Sequence, residues 1–287
     1  LKSRKQKKKN LPIYKRGDML AHITSLKKNI VVSGSHGKTT TTSLIASIFT
    51  KAKLDPTIIN GGVINSLDNS AKLGKSEWSV LESDESDGSF IKVPSTYAVI
   101  TNIDREHMDY YRSLGDLKKY FIKFMLNVPS FGKTFICIDD KNARDICRTS
   151  KIKNILTYGF SNKSNFKIKN CLFQKNKTFF DIEMCLPNKK KTIFKKFEVP
   201  LIGSHNIKNA TAAIAVSFFI GISPIILKNS LKNFKGVERR FNKIFTYNGA
   251  EIYDDYAHHP TEIRELLGGV SNSYKEKKIL CIFQPHR

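Results

Sequence analysis

Four short apolar runs constrain the fold of this chain more than any other feature: NIVVSG (29–34), WSVLES (78–83), YAVITNI (97–103) and TFICIDD (134–140). Each has the length and β-branched character of a strand, and they alternate with helical stretches at Thr39 to Lys51 and at 116–126. Strands that are apolar throughout must be covered on both sides, which predicts a mostly parallel sheet flanked by helices, an α/β fold. A change of period marks residues 152–199. There FKIKNCLF (166–173) and TFFDIEMCL (178–186) alternate in twos between Asn- and Lys-rich turns, as a small antiparallel meander added to the parallel core would.

An Ala-rich helix is expected over 206–220, and before the first strand Met19, Leu20, Ile23 and Leu26 recur at helical spacing. After FKGVERRF (234–241) a strand at 251–257, a helix from about Thr261 and a strand KILCIF (278–283) begin another alternating unit, too short to fold alone. The chain opens at Leu1 rather than Met and stops in mid-pattern at FQPHR (283–287), so a fragment of a longer protein is expected.

No run of about 18 apolar residues occurs, so no membrane-spanning helix is expected. The most apolar stretch, 210–226, is interrupted by Ser217, Gly221, Ser223 and Pro224. The five cysteines are scattered without a CxxC pair and read as reduced, cytosolic thiols. A net charge of +24 invites a nucleic-acid reading, yet the excess is 39 Lys against 10 Arg, spread along the chain from KQKKK (5–9) to KEKK (275–278). Base readout and bidentate phosphate clamps favour Arg, and no nucleic-acid-binding signature accompanies the charge; a lysine-rich solvated surface is the simpler reading.

Chemistry concentrates in five places. In SGSHGKTTTTS (33–43) a strand ends in glycines and a helix begins at Thr39. Free backbone N–H groups and the helix dipole at such a junction favour an anion; Gly34 and Gly37 admit a phosphate closely, Lys38 neutralises it, and a Thr hydroxyl can ligate Mg²⁺. The common spacing G-x-x-x-x-G-K-[ST] would require a glycine where Val32 stands. ESDESDGSF (82–90) places Glu82, Asp84, Glu85 and Asp87 together, costly unless a cation binds or some face solvent. TNIDREHMDYY (101–111) carries His107 at the carboxyl end of a strand, the edge where ligands bind in such sheets. At GSHNIKNATAAIA (203–215), His205, Asn206 and Asn209 lie at one helix start, where Asn caps helices and can also read an adenine edge. Finally, ERRF (238–241) and DDYAHHP (254–260) bring Arg239 or Arg240 as a phosphate clamp, with Asp and His residues to orient an amine or a ribose.

Taken in order, GSHGKTTTTS, ESDESDGSF, TNIDREHMDYY, HNIKNATAA, RRF, DDYAHHPTEI and FQPHR resemble the Mur ligase superfamily, from about residue 13 to residue 287. The resemblance is to the branch that adds L-alanine to UDP-N-acetylmuramate. A sibling branch that recycles murein tripeptide usually shows DEYD and DHAD where this chain has DESD (84–87) and EHMD (106–109). The family loop is G-x-x-G-K-[ST], so Val32 is no defect.

The resemblance implies an ATP-dependent amide ligase of bacterial cytoplasm, acting in peptidoglycan synthesis with ATP and Mg²⁺. ATP phosphorylates the substrate carboxylate to an acyl phosphate, and the amino acid's amine displaces phosphate through a tetrahedral intermediate. It implies that Gly34, Ser35, His36, Gly37, Lys38, Thr39 and Thr40 hold the ATP phosphates, and that Thr39, Glu82 and His107 serve the metal sites. His205, Asn206 and Asn209 would contact adenine, Arg240 the γ-phosphate and Asp255 the nucleotide. His258, His259 and Arg287 would lie near the L-alanine end. No carbamylated lysine is assigned.

The domains expected are the last helix of an N-terminal UDP-binding domain (1–28), a central P-loop-type ATPase domain (29–238) and the start of a Rossmann-like C-terminal domain (239–287). Such a piece should bind nucleotide without ligating alanine by itself. The competing readings are the tripeptide ligase, a basic nucleic-acid-stimulated P-loop ATPase, or a degenerate nucleotide-binding module; neither nucleic acid nor membrane is expected as a partner.

Overall fold

The computed structural model describes residues 12–187 and 190–285. Arg287, the basic run at 5–9 and part of the lysine run at 188–192 lie outside the described residues. After helix α1 (Arg16–Thr24), β1 (Lys28–Ser33) leads into α2 (Lys38–Lys51), then β2 (Thr57–Ile64), β3 (Asn69–Lys72), β4 (Trp78–Glu82) and β5 (Tyr97–Ile100). Next come α3 (Leu114–Leu126), β6 (Lys133–Cys137), α4 (Lys141–Thr149), β7 (Ile155–Gly159) and the strands β8 (Phe166–Gln174), β9 (Lys177–Met184) and β10 (Thr192–Val199). Helices α5 (Ser204–Ile220) and α6 (Pro224–Lys232), the hairpin β11 (Asn242–Tyr247) and β12 (Ala250–Asp254), and α7 (Pro260–Ser273) complete the chain.

Ten strands form one sheet in the order β10-β9-β8-β7-β6-β5-β1-β4-β2-β3. From β2 through β1 to β8 the pairing is parallel. Alternate residues of each central strand enter different cores. Ile30 and Val32 of β1, with Val80 and Val99, pack with α2, α5 and α6; Val31, Leu81, Ala98 and Ile100 pack with α3 and α4 on the opposite face. Two-sided burial is why these strands read as unbroken apolar runs.

The period-two strands behave as their pattern requires. β8, β9 and β10 are antiparallel, and Phe166, Ile168, Phe180, Ile182, Phe197 and Val199 join the core beneath α5 while the intervening residues are polar. β7 carries the parallel pattern onto β8, so the antiparallel strands extend the same sheet.

The C-terminal unit needs a correction. Residues 278–283 form no strand, and Leu280 and Ile282 are 83% and 91% exposed. An apolar run of the right length becomes a strand only when a neighbour satisfies its N–H and C=O groups, and no such neighbour exists among the described residues. What precedes it is an antiparallel hairpin, β11 with β12, and then α7.

Candidate active site

The loop between β1 and α2 is held by the end of β5. Thr101 Oγ1 and Asn102 Nδ2 donate to the His36 carbonyl at 2.7 and 3.0 Å, while Asn102 Oδ1 accepts the His36 N–H at 2.8 Å. Ser35 Oγ accepts the Asp104 N–H at 2.8 Å, so Thr101, Asn102 and Asp104 after β5 shape the turn. Gly37 caps α2 in the left-handed region with φ 81°, and no side chain caps that first turn. Its N–H groups are the anion site expected of a helix N-terminus. A Cβ on Gly37 would stand 2.6 Å from Asn209 Oδ1, and one on Gly34, at φ 134°, would collide with Thr101 Oγ1. The backbone must be bare at both points.

On one side of the loop lies the acidic cluster. Lys38 Nζ donates to Glu85 Oε2 at 2.8 Å and lies 3.5 Å from Asp84. Burial works against the charge of Lys38, but Glu85 and Asp84 outweigh it and hold the ammonium above its ordinary range. Glu85 is fully buried; burial pushes its carboxyl up against the pull of Lys38. Its Oε1 has no hydrogen-bond partner among the described residues. Thr39 Oγ1 donates to Glu82 Oε1 at 3.2 Å, and Glu82 Oε2 accepts the Gly61 N–H at 2.8 Å. His107 occupies the left-handed region, φ 56°, with Nε2 3.7 Å from Glu85 Oε1.

Donor atoms of Asp84, Glu85 and His107 lie within 4.8 Å of one another. Of the three residues expected at the metal sites, Glu82 accepts from Thr39, while His107 lies nearer Glu85. An orphaned carboxylate oxygen, a second carboxylate and an imidazole form a donor set that a hard divalent cation fits. Glu85, which sequence spacing did not single out from its acidic neighbours, is the residue common to Lys38 and His107.

On the other side is a cavity of about 290 Å³, walled by His36, Gly37 and Thr40 of the loop, His205, Asn206 and Asn209 of α5, and Arg240, Asp255 and Glu262. Burial pushes the His205 imidazole down to about 4, so it is neutral. Neither asparagine caps α5, whose N-cap is Gly203. Asn206 Nδ2 donates to the Ile202 carbonyl at 2.8 Å and Asn209 Nδ2 to Asn206 Oδ1 at 3.3 Å, which fixes both amides in the wall.

Arg239 and Arg240 separate cleanly. Arg239 Nε pairs with Asp254 at 3.2 Å and is 60% exposed, whereas Arg240 faces the cavity. Arg239 and Phe241 both have left-handed backbones, and Asp255 accepts the Phe241 N–H at 2.7 Å and the Ala257 N–H at 2.8 Å. Asp255 therefore shapes the strained turn that presents Arg240.

Helix α7 docks onto the loops through its first turn. Thr261 Oγ1 donates to Asp104 at 2.7 Å; Glu262 lies 3.4 Å from His36 Nδ1 and 3.9 Å from Arg240; Ser204 donates to Glu265 at 3.1 Å. His259, the α7 N-cap, faces the His36 ring at 4.8 Å. His36, Glu106 and His259 also gather their donor atoms within 4.8 Å, but Asp104 and Glu262 pair with His36, and the group reads as the docking network of α7. His258 is 40% exposed and outside the cavity wall, its Nδ1 3.0 Å from the Tyr256 carbonyl. Asp104, Asn102 and Glu262 were missed by sequence reasoning, though each adjoins a motif residue.

The profile of the Mur ligase middle domain matches residues 32–217, and that of the Mur ligase glutamate ligase domain residues 239–287. The chain belongs to the Mur ligase family. Over 281 residues it is 65% identical to the UDP-N-acetylmuramate–L-alanine ligase of Pelagibacter ubique, covering 98% of this chain and 61% of that protein. The corresponding ligase of Hydrogenobaculum is 44% identical over 284 residues, covering 99% of this chain and 62% of that protein. Among solved Mur ligase structures, the UDP-N-acetylmuramate-alanine ligase MurC of Thermotoga maritima superposes with a TM-score of 0.85 at 27% identity, over 99% of this chain and 63% of that one. The murein peptide ligase of Psychrobacter arcticus gives 0.72 at 23% identity, over 93% of this chain and 60% of that one, a likeness of fold. This chain thus spans about three fifths of the length of the curated Mur ligases it matches. Among the described residues no helix is long and apolar enough to cross a membrane.

Proposed function

We propose that this chain is the nucleotide-binding part of a cytoplasmic ligase that uses ATP to join L-alanine to the carboxylate of UDP-N-acetylmuramate in peptidoglycan synthesis. The observation that carries the reading is the opening of a bare helix N-terminus onto a cavity that also presents Arg240 and two fixed asparagine amides, in a chain 65% identical to such a ligase. Gly34 to Thr40 hold the triphosphate, Asn206, Asn209 and His205 receive the base, and Arg240 meets the terminal phosphate. Lys38 leaves its carboxylates for the transferring phosphoryl group, which passes to the substrate carboxylate; the alanine amine then attacks the acyl phosphate and phosphate departs. Such transfer needs chiefly positioning and neutralised charge. Thr39, Glu82, Asp84, Glu85 and His107 are the residues that would hold Mg²⁺, whose contribution is charge neutralisation on the phosphate oxygens. His258 and His259 lie toward the amino acid. The reading takes residues 29–238 as the ATPase domain, 1–28 as the end of a preceding domain and 239–287 as the beginning of a following one.

The test is phosphate release by the complete protein. Release should require both UDP-N-acetylmuramate and L-alanine, and Lys38→Ala should abolish it. Release stimulated by DNA or RNA, or by murein tripeptide in place of L-alanine, would overturn the assignment.

A further inference from the structure

The carboxylate of Glu262 meets three separate parts of the site. Its Oε1 lies 3.4 Å from His36 Nδ1 in the phosphate loop and 3.9 Å from Arg240 Nη1, and its Oε2 accepts the His258 N–H at 3.3 Å. The side chain is only 15% exposed, so solvent screens these contacts weakly. Asp255 fixes the backbone just after Arg240 through the Phe241 N–H and makes no hydrogen bond to its guanidinium among the described residues. The ring of Tyr256 lies 5.7 Å from that group, and the Asp255 carboxyl feels its charge. Asp104 and Glu106 also lie 3.1 and 3.9 Å from the His36 ring, but among the described residues the ion pair to Arg240 comes from Glu262, which joins the two.

We propose that Glu262 is a positioning residue for the reaction proposed above: by bridging His36 and Arg240 it aims the guanidinium at the nucleotide cavity. A mere anchor for α7 would be a weaker role, and one already supplied by the Thr261–Asp104 and Ser204–Glu265 hydrogen bonds. Glu262 adds the one carboxylate that reaches both cations. The inference rests on the reading of the cavity as a nucleotide site.

The test is a double-mutant cycle of Glu262→Gln and Arg240→Ala in the complete protein, read on phosphate release and, separately, on ATP binding by calorimetry. Gln keeps the size and the acceptor for the His258 N–H while removing the charge. Glu262→Gln should lower turnover roughly 10- to 100-fold, the range for removing a group that orients a site residue. Glu262→Asp should recover part of the loss of turnover, and the effects of Glu262→Gln and Arg240→Ala should be strongly non-additive in both turnover and ATP binding. Wild-type turnover in Glu262→Gln, or losses that simply multiply with those of Arg240→Ala, would overturn the proposal. Failure of the wild type to release phosphate would count against the ligase reading alone, because the ATP-binding cycle still decides for or against Glu262.

Discussion

Gly37 illustrates how one residue fixes the site. Its φ of 81° and the 2.6 Å gap between its missing Cβ and Asn209 Oδ1 leave room for nothing larger than hydrogen. Gly37→Ala is expected to destabilise the chain by about 1–3 kcal/mol, the cost of one strained backbone position, and to weaken ATP binding more than tenfold. Urea denaturation and calorimetry measure the two effects, and unchanged ATP affinity would contradict the cradle. The glycines, Lys38 and Thr39 were legible because a phosphate loop is a local device, written in adjacent residues. Glu85 was not, since its claim on Lys38 depends on β4 lying beside β1 with Leu81 opposite Val31 and Glu82 opposite Val32. Four carboxylates in six residues look alike until the sheet selects one for burial.

At the level of elements, the parallel strands and long helices were readable because burial writes itself into their periodicity. α4 was not, since only Ala143 and Ile146 of its nine residues are buried among charged neighbours. β2 was obscured by Gly61 and Gly62, at which its ladder with β3 is irregular. α3, by contrast, announces its start. Ser113 Oγ accepts the Asp116 N–H at 3.1 Å, so Ser113→Ala should cost about 1 kcal/mol in urea denaturation with ATP affinity unchanged. A further test bears on α5, where Ala213 is fully buried in the core. Ala213→Leu should cost about 1–3 kcal/mol by overpacking, and a fall in melting temperature would report it.

Across the whole molecule, the docking of α7 is a charge contact and therefore depends on pH. His36 would be lowered by burial, but Glu262, Glu106 and Asp104 raise it above its ordinary 6.5. A raised histidine stabilises docking fully below 6.5 and loses that contribution as pH climbs through its folded value. Glu262, carried down to about 2 by His36 and Arg240 despite its burial, keeps its contribution above the ordinary 4.5 and loses it as pH falls toward 2. Docking should thus be firmest between these limits. Hydrogen exchange of amides 260–273, corrected for the intrinsic pH dependence of exchange, should quicken on the alkaline side, and His36→Gln should erase that alkaline change. No sequence pattern revealed this network, because its members come from positions 36, 104, 106 and 262, joined only by the fold.

β1, flanked on both sides by parallel partners and buried from Asn29 to Ser33, is an interior strand of the central sheet. A loop carried by that strand inherits its order. The conformational entropy that a mobile phosphate loop would surrender to each incoming nucleotide is, in this molecule, given up once, when the sheet forms.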